Sequence, residues 1–371
     1  MIRVLIADDS AFMRRVLSDL YNNQPDFDVV GTAINGKDAI AKVKELQPDL
    51  ITLDVNMPIM DGLNALAVIM DQNPTPTLMI SSLTQKGAAA TIRALSLGAV
   101  DFISKDGGAI SRIDHIADEI LTKSRNTAKA KVRRLSKSVA SGVGATNNFG
   151  SSRSSPPNLP KKPPTIKPTA TNNVVVGKKN ETGKKLVVIG TSTGGPQALQ
   201  AVITKLPEDL PCGVTVVQHM PAGFTKHLAE RLDTISAVTV KEAENNDIIE
   251  PGHVYIAPGN YHMRVVLDGR VRKIAISQEP PVGNHRPAVN VMFDSVAQFG
   301  RDIVSVIMTG MGSDGCDGMK NIKKYGGYSI AQNEDTSIVY GMPKAVVDAG
   351  LADEVRPLGD IAGAIVEAVK K

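Results

Sequence analysis

Two groups of residues in this chain could do chemistry if the fold brings each group together. The first is acidic. Asp8 and Asp9 close the apolar run RVLIA (3–7), and Asp54 closes LITL (50–53). Ser81 closes TLMIS (77–81), and Lys105 follows VDFIS (100–104). Three crowded carboxylates repel one another unless a hard divalent cation lies among them, and Mg²⁺ takes such oxygens together with phosphate and water. A carboxylate in that setting can attack an activated phosphoryl donor and become an acyl phosphate. The Ser81 hydroxyl and the Lys105 ammonium would then contact the phosphoryl oxygens as charge-assisted partners. Singly, Asp9 reads as a helix cap and Lys105 as a surface charge. Together, on one edge of a sheet, the five read as a site.

The second group is Ser192, His219 and Asp314. Gly190, Ser192 and Gly194 fit the G-x-S-x-G nucleophile pattern, between the buried strand LVVIG and a helix with Pro196 in its first turn. The turn presents the Ser192 hydroxyl at a helix N-terminus, where free N–H groups favour negative charge. A glycine-rich turn there can also hold a pyrophosphate, and on this motif alone nucleotide binding stays open. Against it, the spacing is not G-x-G-x-x-G, no Lys-Ser/Thr follows as in a P-loop, and no acidic residue closes a second strand near 215. His219 ends VTVVQHM, and Asp314 follows DIVSVIMTG, so both reach the same sheet edge as Ser192. There His219 can take the serine proton while Asp314 orients and stabilises the imidazole. Asp314, within GSDG, also reads as a turn residue. His227, His253, His262 and His285 read as structural histidines, and Cys212 and Cys316 as small buried fillers.

The elements that must position these groups are legible from periodicity. In the first 125 residues, five short Val/Ile/Leu-rich runs alternate with helical segments such as FMRRVLSDL, KDAIAKVKEL and LNALAVIM. Ser10 or Asp9 is expected to cap the first helix and Asn35 the second, with Gly98 ending the fourth. Strands alternating with helices imply a parallel doubly wound sheet, whose ligands sit at the carboxyl ends of its strands.

The chain has 371 residues, 42% hydrophobic and 22% charged, ordinary for a globular protein of two or three domains. No run is long and apolar enough to span a membrane, and acidic residues at 8 and 9 interrupt any signal-peptide core. Two cysteines make neither a disulfide framework nor a zinc cluster. These features exclude a secreted or membrane-inserted protein and predict a cytoplasmic one. The formal charge of +4 is uneven. Residues 1–125 hold 12 Lys/Arg against 16 Asp/Glu, and residues 184–371 hold 19 against 21. Residues 126–183 hold 11 against one, with six of the 22 prolines. The basic character therefore belongs to a Ser-, Pro- and Lys-rich segment that cannot bury a core, read as a flexible linker and, compatibly, as a docking site for a partner. No basic recognition helix lies outside it, so nucleic-acid binding is not expected.

The motifs ADDS (7–10), LDVNMPIMDG (53–62), ISS (80–82) and FISK (102–105) resemble the receiver domain of two-component response regulators over about 120 residues. The resemblance implies that Asp54 accepts phosphate and that Asp9 and Asp54, beside Asp8, bind Mg²⁺ with the Asn56 carbonyl. It also implies that Ser81 and Lys105 sense the phosphoryl group and that Phe102 is the aromatic switch. Many receivers have proline after the lysine, whereas here Asp106 follows Lys105.

IGTSTGG, VVQHMPAGFT, VYIAPGNYHM, NHRPAVNVMFDSVA, MTGMGSDG and IAQNEDTSIVYGMP resemble, in that order, the catalytic domain of chemotaxis protein-glutamate methylesterases. That resemblance implies catalysis by Ser192, His219 and Asp314, with the Met311 N–H as oxyanion donor. It implies hydrolysis of glutamate methyl esters on methyl-accepting chemoreceptors with release of methanol, deamidation of receptor glutamines, and phosphorylation by a chemotaxis histidine kinase. Hydrolysis needs no cofactor. The Met311 side chain is expected to lie exposed with no chemistry of its own. The expected architecture is α/β: a receiver-like sheet (1–125) and a Rossmann-like hydrolase sheet (184–371), both doubly wound and parallel, joined by the flexible basic linker (126–183).

Overall fold

The buried apolar runs of the first third form a sheet of five strands in a computed structural model that describes residues 1–82, 84–105, 113–130, 132 and 185–371. The strands are β1 (Ile2–Ala7), β2 (Phe27–Ala33), β3 (Leu50–Asp54), β4 (Thr77–Ser82) and β5 (Asp101–Lys105). They run parallel in the order β2-β1-β3-β4-β5. Helices α1 (Ala11–Asn22), α2 (Gly36–Leu46), α3 (Gly62–Gln72), α4 (Gln85–Ser96) and α5 (Ile113–Ala128) connect and cover them. Ser10 is the first cap, its hydroxyl accepting from Met13 N, and Asn35 accepts from Asp38 N. Helix α5 continues three residues past 125, and of the 126–183 linker only residues 126–130 and 132 are described.

The second sheet has seven parallel strands: β6 (Leu186–Thr191), β7 (Gly213–Gln218), β8 (Thr239–Glu242), β9 (His253–Ile256), β12 (Ile303–Ile307), β13 (Tyr328–Gln332) and β14 (Glu354–Arg356). Their order is β14-β13-β12-β6-β7-β9-β8. LVVIGT and IVSVI are buried throughout, as strands covered on both faces must be. The helices are α6 (Gly195–Ile203), α7 (Phe224–Asp233), α8 (Val289–Val296), α9 (Cys316–Lys324), α10 (Met342–Asp348) and α11 (Ile361–Ala368). The strand order reverses between β6 and β12, and ligands of open α/β sheets bind at such a switch point. An antiparallel hairpin, β10 (His262–Asp268) with β11 (Val271–Ser277), stands apart from both parallel sheets.

Both sheets and their helices belong to one compact unit. Phe102 of β5 stacks on Phe224 at the start of α7, with centroids 4.6 Å apart and planes at 18°. Thr193 Oγ1 donates to Asp101 Oδ2 over 2.8 Å, and Gln197 Nε2 donates to Ala99 O over 2.6 Å. Aromatic pairs of this kind contribute ~0.5–1.5 kcal/mol beyond the area they bury.

Candidate functional sites

The first site lies at the carboxyl edge of the five-stranded sheet. Asp54 is the last residue of β3, while Asp8 and Asp9 follow β1. Asp8 and Asp54 are buried and Asp9 is exposed, and carboxylate oxygens of the three lie within 4.8 Å of one another. Asp8 Oδ1 accepts from Ser10 N over 2.9 Å. Ser81 sits on β4 one residue beyond Ile80, the register partner of Asp54, and its hydroxyl donates to Gly87 O. Asn56 is exposed, two residues after Asp54. Lys105 ends β5 in register with Ser82, but its side chain and Asp106 lie outside the described residues. The structure therefore brings Asp8, Asp9, Asp54 and Ser81 to one edge. Phe102 is buried and faces the second sheet's α7 through its stack on Phe224.

The second site lies where β6, β7 and β12 end. Gly194 takes a left-handed φ of +76°, where an added Cβ would meet Ile338 at 2.8 Å; this turn starts α6 just after the half-buried Ser192. His219 Nδ1 is 3.2 Å from Ser192 Oγ, and His219 Nε2 is 2.8 Å from Asp314 Oδ2. An ionised carboxylate only accepts, so Nε2 carries the proton and bare Nδ1 faces the serine hydroxyl. Two more donors hold Asp314. Val289 N and Asn290 N, the free N–H groups opening α8, reach its two oxygens at 2.6 and 2.9 Å. Burial alone would raise the Asp314 carboxyl. The hydrogen bonds from His219, Asn290 and Val289 outweigh it and hold the group below its ordinary value.

Buried glutamines fix the loops that carry the triad. Gln218 accepts from Thr191 Oγ1 and donates to the carbonyls of Ser192 and His219, tying the β6 turn to the β7 turn. Gln332 of β13 accepts from Thr309 N just after β12. Gly310 leaves no room for a side chain, because a Cβ there would lie 2.9 Å from Ser192 Cβ and 2.2 Å from Met342 Sδ. The 310–314 loop therefore runs directly against the serine. Among the described residues, the Met311 N–H donates to no protein acceptor. Its side chain is exposed, as expected, and Sδ accepts a hydrogen bond from Asn126 of α5.

The triad opens into a cleft of about 500 Å³. One wall is Ser192, His219, His285, Arg286 and Met311; the other is Asp101, Asp118, Glu119, Thr122 and Lys123, on β5 and α5. His285, a structural histidine by its sequence context, stacks its ring face to face on His219, with centroids 3.8 Å apart and planes at 12°. Burial first, then the proximity of His219 and of the Lys123 ammonium, push it down to about 4, so it is neutral near pH 7. Gln218, Asn290 and His285 escaped sequence reasoning. For Gln218 a signal existed: a lone amide ending an otherwise apolar strand, next to His219.

Residues 4–117 match the response regulator receiver domain family, and residues 187–365 match the CheB methylesterase family. The chain is 46% identical to the protein-glutamate methylesterase/protein-glutamine glutaminase of Symbiobacterium thermophilum, covering 99% of this chain and 97% of that one. It is 45% identical to the protein of the same name in Pyrococcus abyssi, over 100% of this chain and 94% of the relative. The crystal structure of the Thermotoga maritima CheB methylesterase catalytic domain is also similar, at 44% identity and a TM-score of 0.49, covering 49% of this chain and 97% of that one. Full-length likeness of this degree, spanning both sheets, makes the chain a member of the protein-glutamate methylesterase/protein-glutamine glutaminase family.

Proposed function

We propose that the chain hydrolyses γ-methyl esters of glutamate on methyl-accepting chemoreceptors, and deamidates receptor glutamines, under control of phosphorylation at Asp54. The hydrogen-bonded chain Ser192–His219–Asp314, opening into a cleft walled by β5 and α5, is the observation that carries this reading. Ser192 Oγ attacks the ester carbonyl as its proton passes to His219 Nδ1, and Asp314 stabilises the imidazolium. The oxyanion meets the Met311 N–H. His219 returns the proton to the leaving methoxide, which departs as methanol. Water, deprotonated by His219, then cleaves the acyl-enzyme and frees the carboxylate. With a glutamine side chain the first leaving group is ammonia. The hydrolytic steps use no cofactor.

At the other site, Asp54 accepts a phosphoryl group from a chemotaxis histidine kinase. The clustered carboxylates fit a divalent cation, because their mutual repulsion falls when one binds. Asp8, Asp9, Asp54 and the Asn56 carbonyl would hold Mg²⁺, which supplies positive charge against the incoming phosphoryl oxygens. Ser81 and Lys105 contact those oxygens, and the resulting shift reaches Phe102 and weakens its stack on Phe224. The lobe of residues 1–125 thus covers the cleft until it is phosphorylated, joined through the 126–183 linker to the catalytic lobe of 184–371. The enzyme acts in the cytoplasm on the cytoplasmic segments of the receptors. Among the described residues no helix is long and apolar enough to cross a membrane. Methanol release from methylated receptor membranes, with and without a small-molecule phosphodonor, tests the reading. Release that phosphodonor accelerates supports it; none in either condition refutes it.

A further inference from the structure

We infer that His285 is a positioning residue for His219: its imidazole face holds the His219 ring in the plane joining Ser192 to Asp314, and it faces the charge that His219 takes up during acylation. The inference rests on the proposed triad and adds a fourth residue to it. The rings lie at stacking distance, 3.8 Å apart and 12° from parallel. His219 is fastened at both nitrogens, so its remaining freedom is rotation and tilt about those bonds, and a parallel ring at van der Waals distance blocks that tilt. The His285 ring nitrogens form no hydrogen bond among the described residues, so the face of the ring is what it offers. Its backbone is well anchored. His285 and Val282 exchange two backbone hydrogen bonds, and the neighbouring Arg286 donates to Gln278 O, Glu279 O and Asn260 Oδ1.

An aromatic face attracts a cation within ~6 Å of its centroid, and the imidazolium formed as Ser192 loses its proton stands inside that range. This works only while His285 is uncharged. The charged or titratable groups facing it are His219 and Asp314 on the hydrolase loops and Lys123 and Glu119 on α5. Burial, His219 and Lys123 disfavour a proton on His285, while Asp314 and Glu119 favour one only in part.

The test compares full-length wild type with His285→Ala, His285→Leu and His285→Phe. It uses methanol release under saturating phosphodonor, with organophosphonate labelling of Ser192 in parallel. Ala and Leu are expected to lower kcat about 10-fold with KM unchanged, and Phe, which keeps an aromatic face, to recover most of that loss. Leu fills the space without a π face, so it separates stacking from simple filling. Wild-type kcat in Ala and Leu would overturn the inference, as would a Phe variant as slow as Ala. In either case, labelling at Ser192 leaves the triad standing. Failure of wild type to label at Ser192 overturns the triad reading and this inference with it.

Discussion

Removing one hydrogen bond from the contact between the two lobes should release the enzyme without phosphate. Gln197 is suited to this, because it lies on α6, outside the triad, and its amide donates to Ala99 O over 2.6 Å. A neutral hydrogen bond contributes ~1 kcal/mol net, and RT near 0.59 kcal/mol converts that to about a fivefold change in the closed-to-open ratio. If the covered form dominates before phosphorylation, Gln197→Ala should raise basal methanol release about fivefold. The ceiling reached with phosphodonor should not move, since the open enzyme is unaltered. Stimulation by phosphodonor should therefore shrink by the same factor of about five. Thr193→Val removes the 2.8 Å bond to Asp101, and bonds to carboxylates are worth more, ~1.5–3 kcal/mol, so a larger basal rise is expected. Steady-state methanol release with and without phosphodonor measures both numbers. An unchanged basal rate in folded Gln197→Ala, or a drop in basal and stimulated rates together, would refute the reasoning that this contact is a cover.

Ser192→Ala should abolish esterase activity by about 10⁴–10⁶-fold while Asp54 still accepts phosphate from a small-molecule donor, which phosphate incorporation checks. Gly310→Ala should cut kcat about 100-fold and lower the melting temperature, because its methyl would press on the Ser192 and buried Met342 side chains; kinetics beside a melting curve read this out. Asp314 has a depressed carboxyl, so its stabilising contribution is complete above its ordinary value of 3.8 and is lost as pH falls through the lower folded value. Asp314→Asn should remove that part of the acid sensitivity, visible in urea midpoints measured in acid. His285 is pushed down to about 4 from 6.5, so the unfolded chain binds more protons between those values and stability falls as pH drops through that window. His285→Phe should flatten that slope in the same midpoints.

Much of this was legible because parallel strands buried on both faces are written as continuous apolar runs. LVVIG, VTVVQHM and DIVSVIMTG each lead, at or shortly past the carboxyl end, to a residue that could do chemistry, and the strand-to-loop rule then places Ser192, His219 and Asp314 together. The same rule grouped Asp8, Asp9, Asp54 and Ser81. What was not legible depends on tertiary return. His285 reaches His219 from a loop after the β10–β11 hairpin, and no periodicity announces where such a loop lands. The ring orientation, with Nδ1 toward the serine and Nε2 toward Asp314, is set by contacts that only the folded loops create. Phe102 carries the aromatic-switch position by resemblance and Phe224 reads as an ordinary apolar residue, and only docking of the two lobes pairs them. The linker's composition speaks of chain entropy and is silent about the surfaces it joins. Met311 carried a backbone role by resemblance, while its side-chain bond to Asn126 belongs to that same docking.

The central claim is that one serine does the chemistry and the receiver lobe controls access to it. Its most direct test is the rate at which an organophosphonate labels full-length protein, located by peptide mass spectrometry, before and after a small-molecule phosphodonor. A single label on Ser192 is expected, formed about 5–150-fold faster after phosphodonor, with an Asp54→Ala protein labelling slowly in both conditions. A label elsewhere, or equal rates with and without phosphodonor in the wild type, would contradict it.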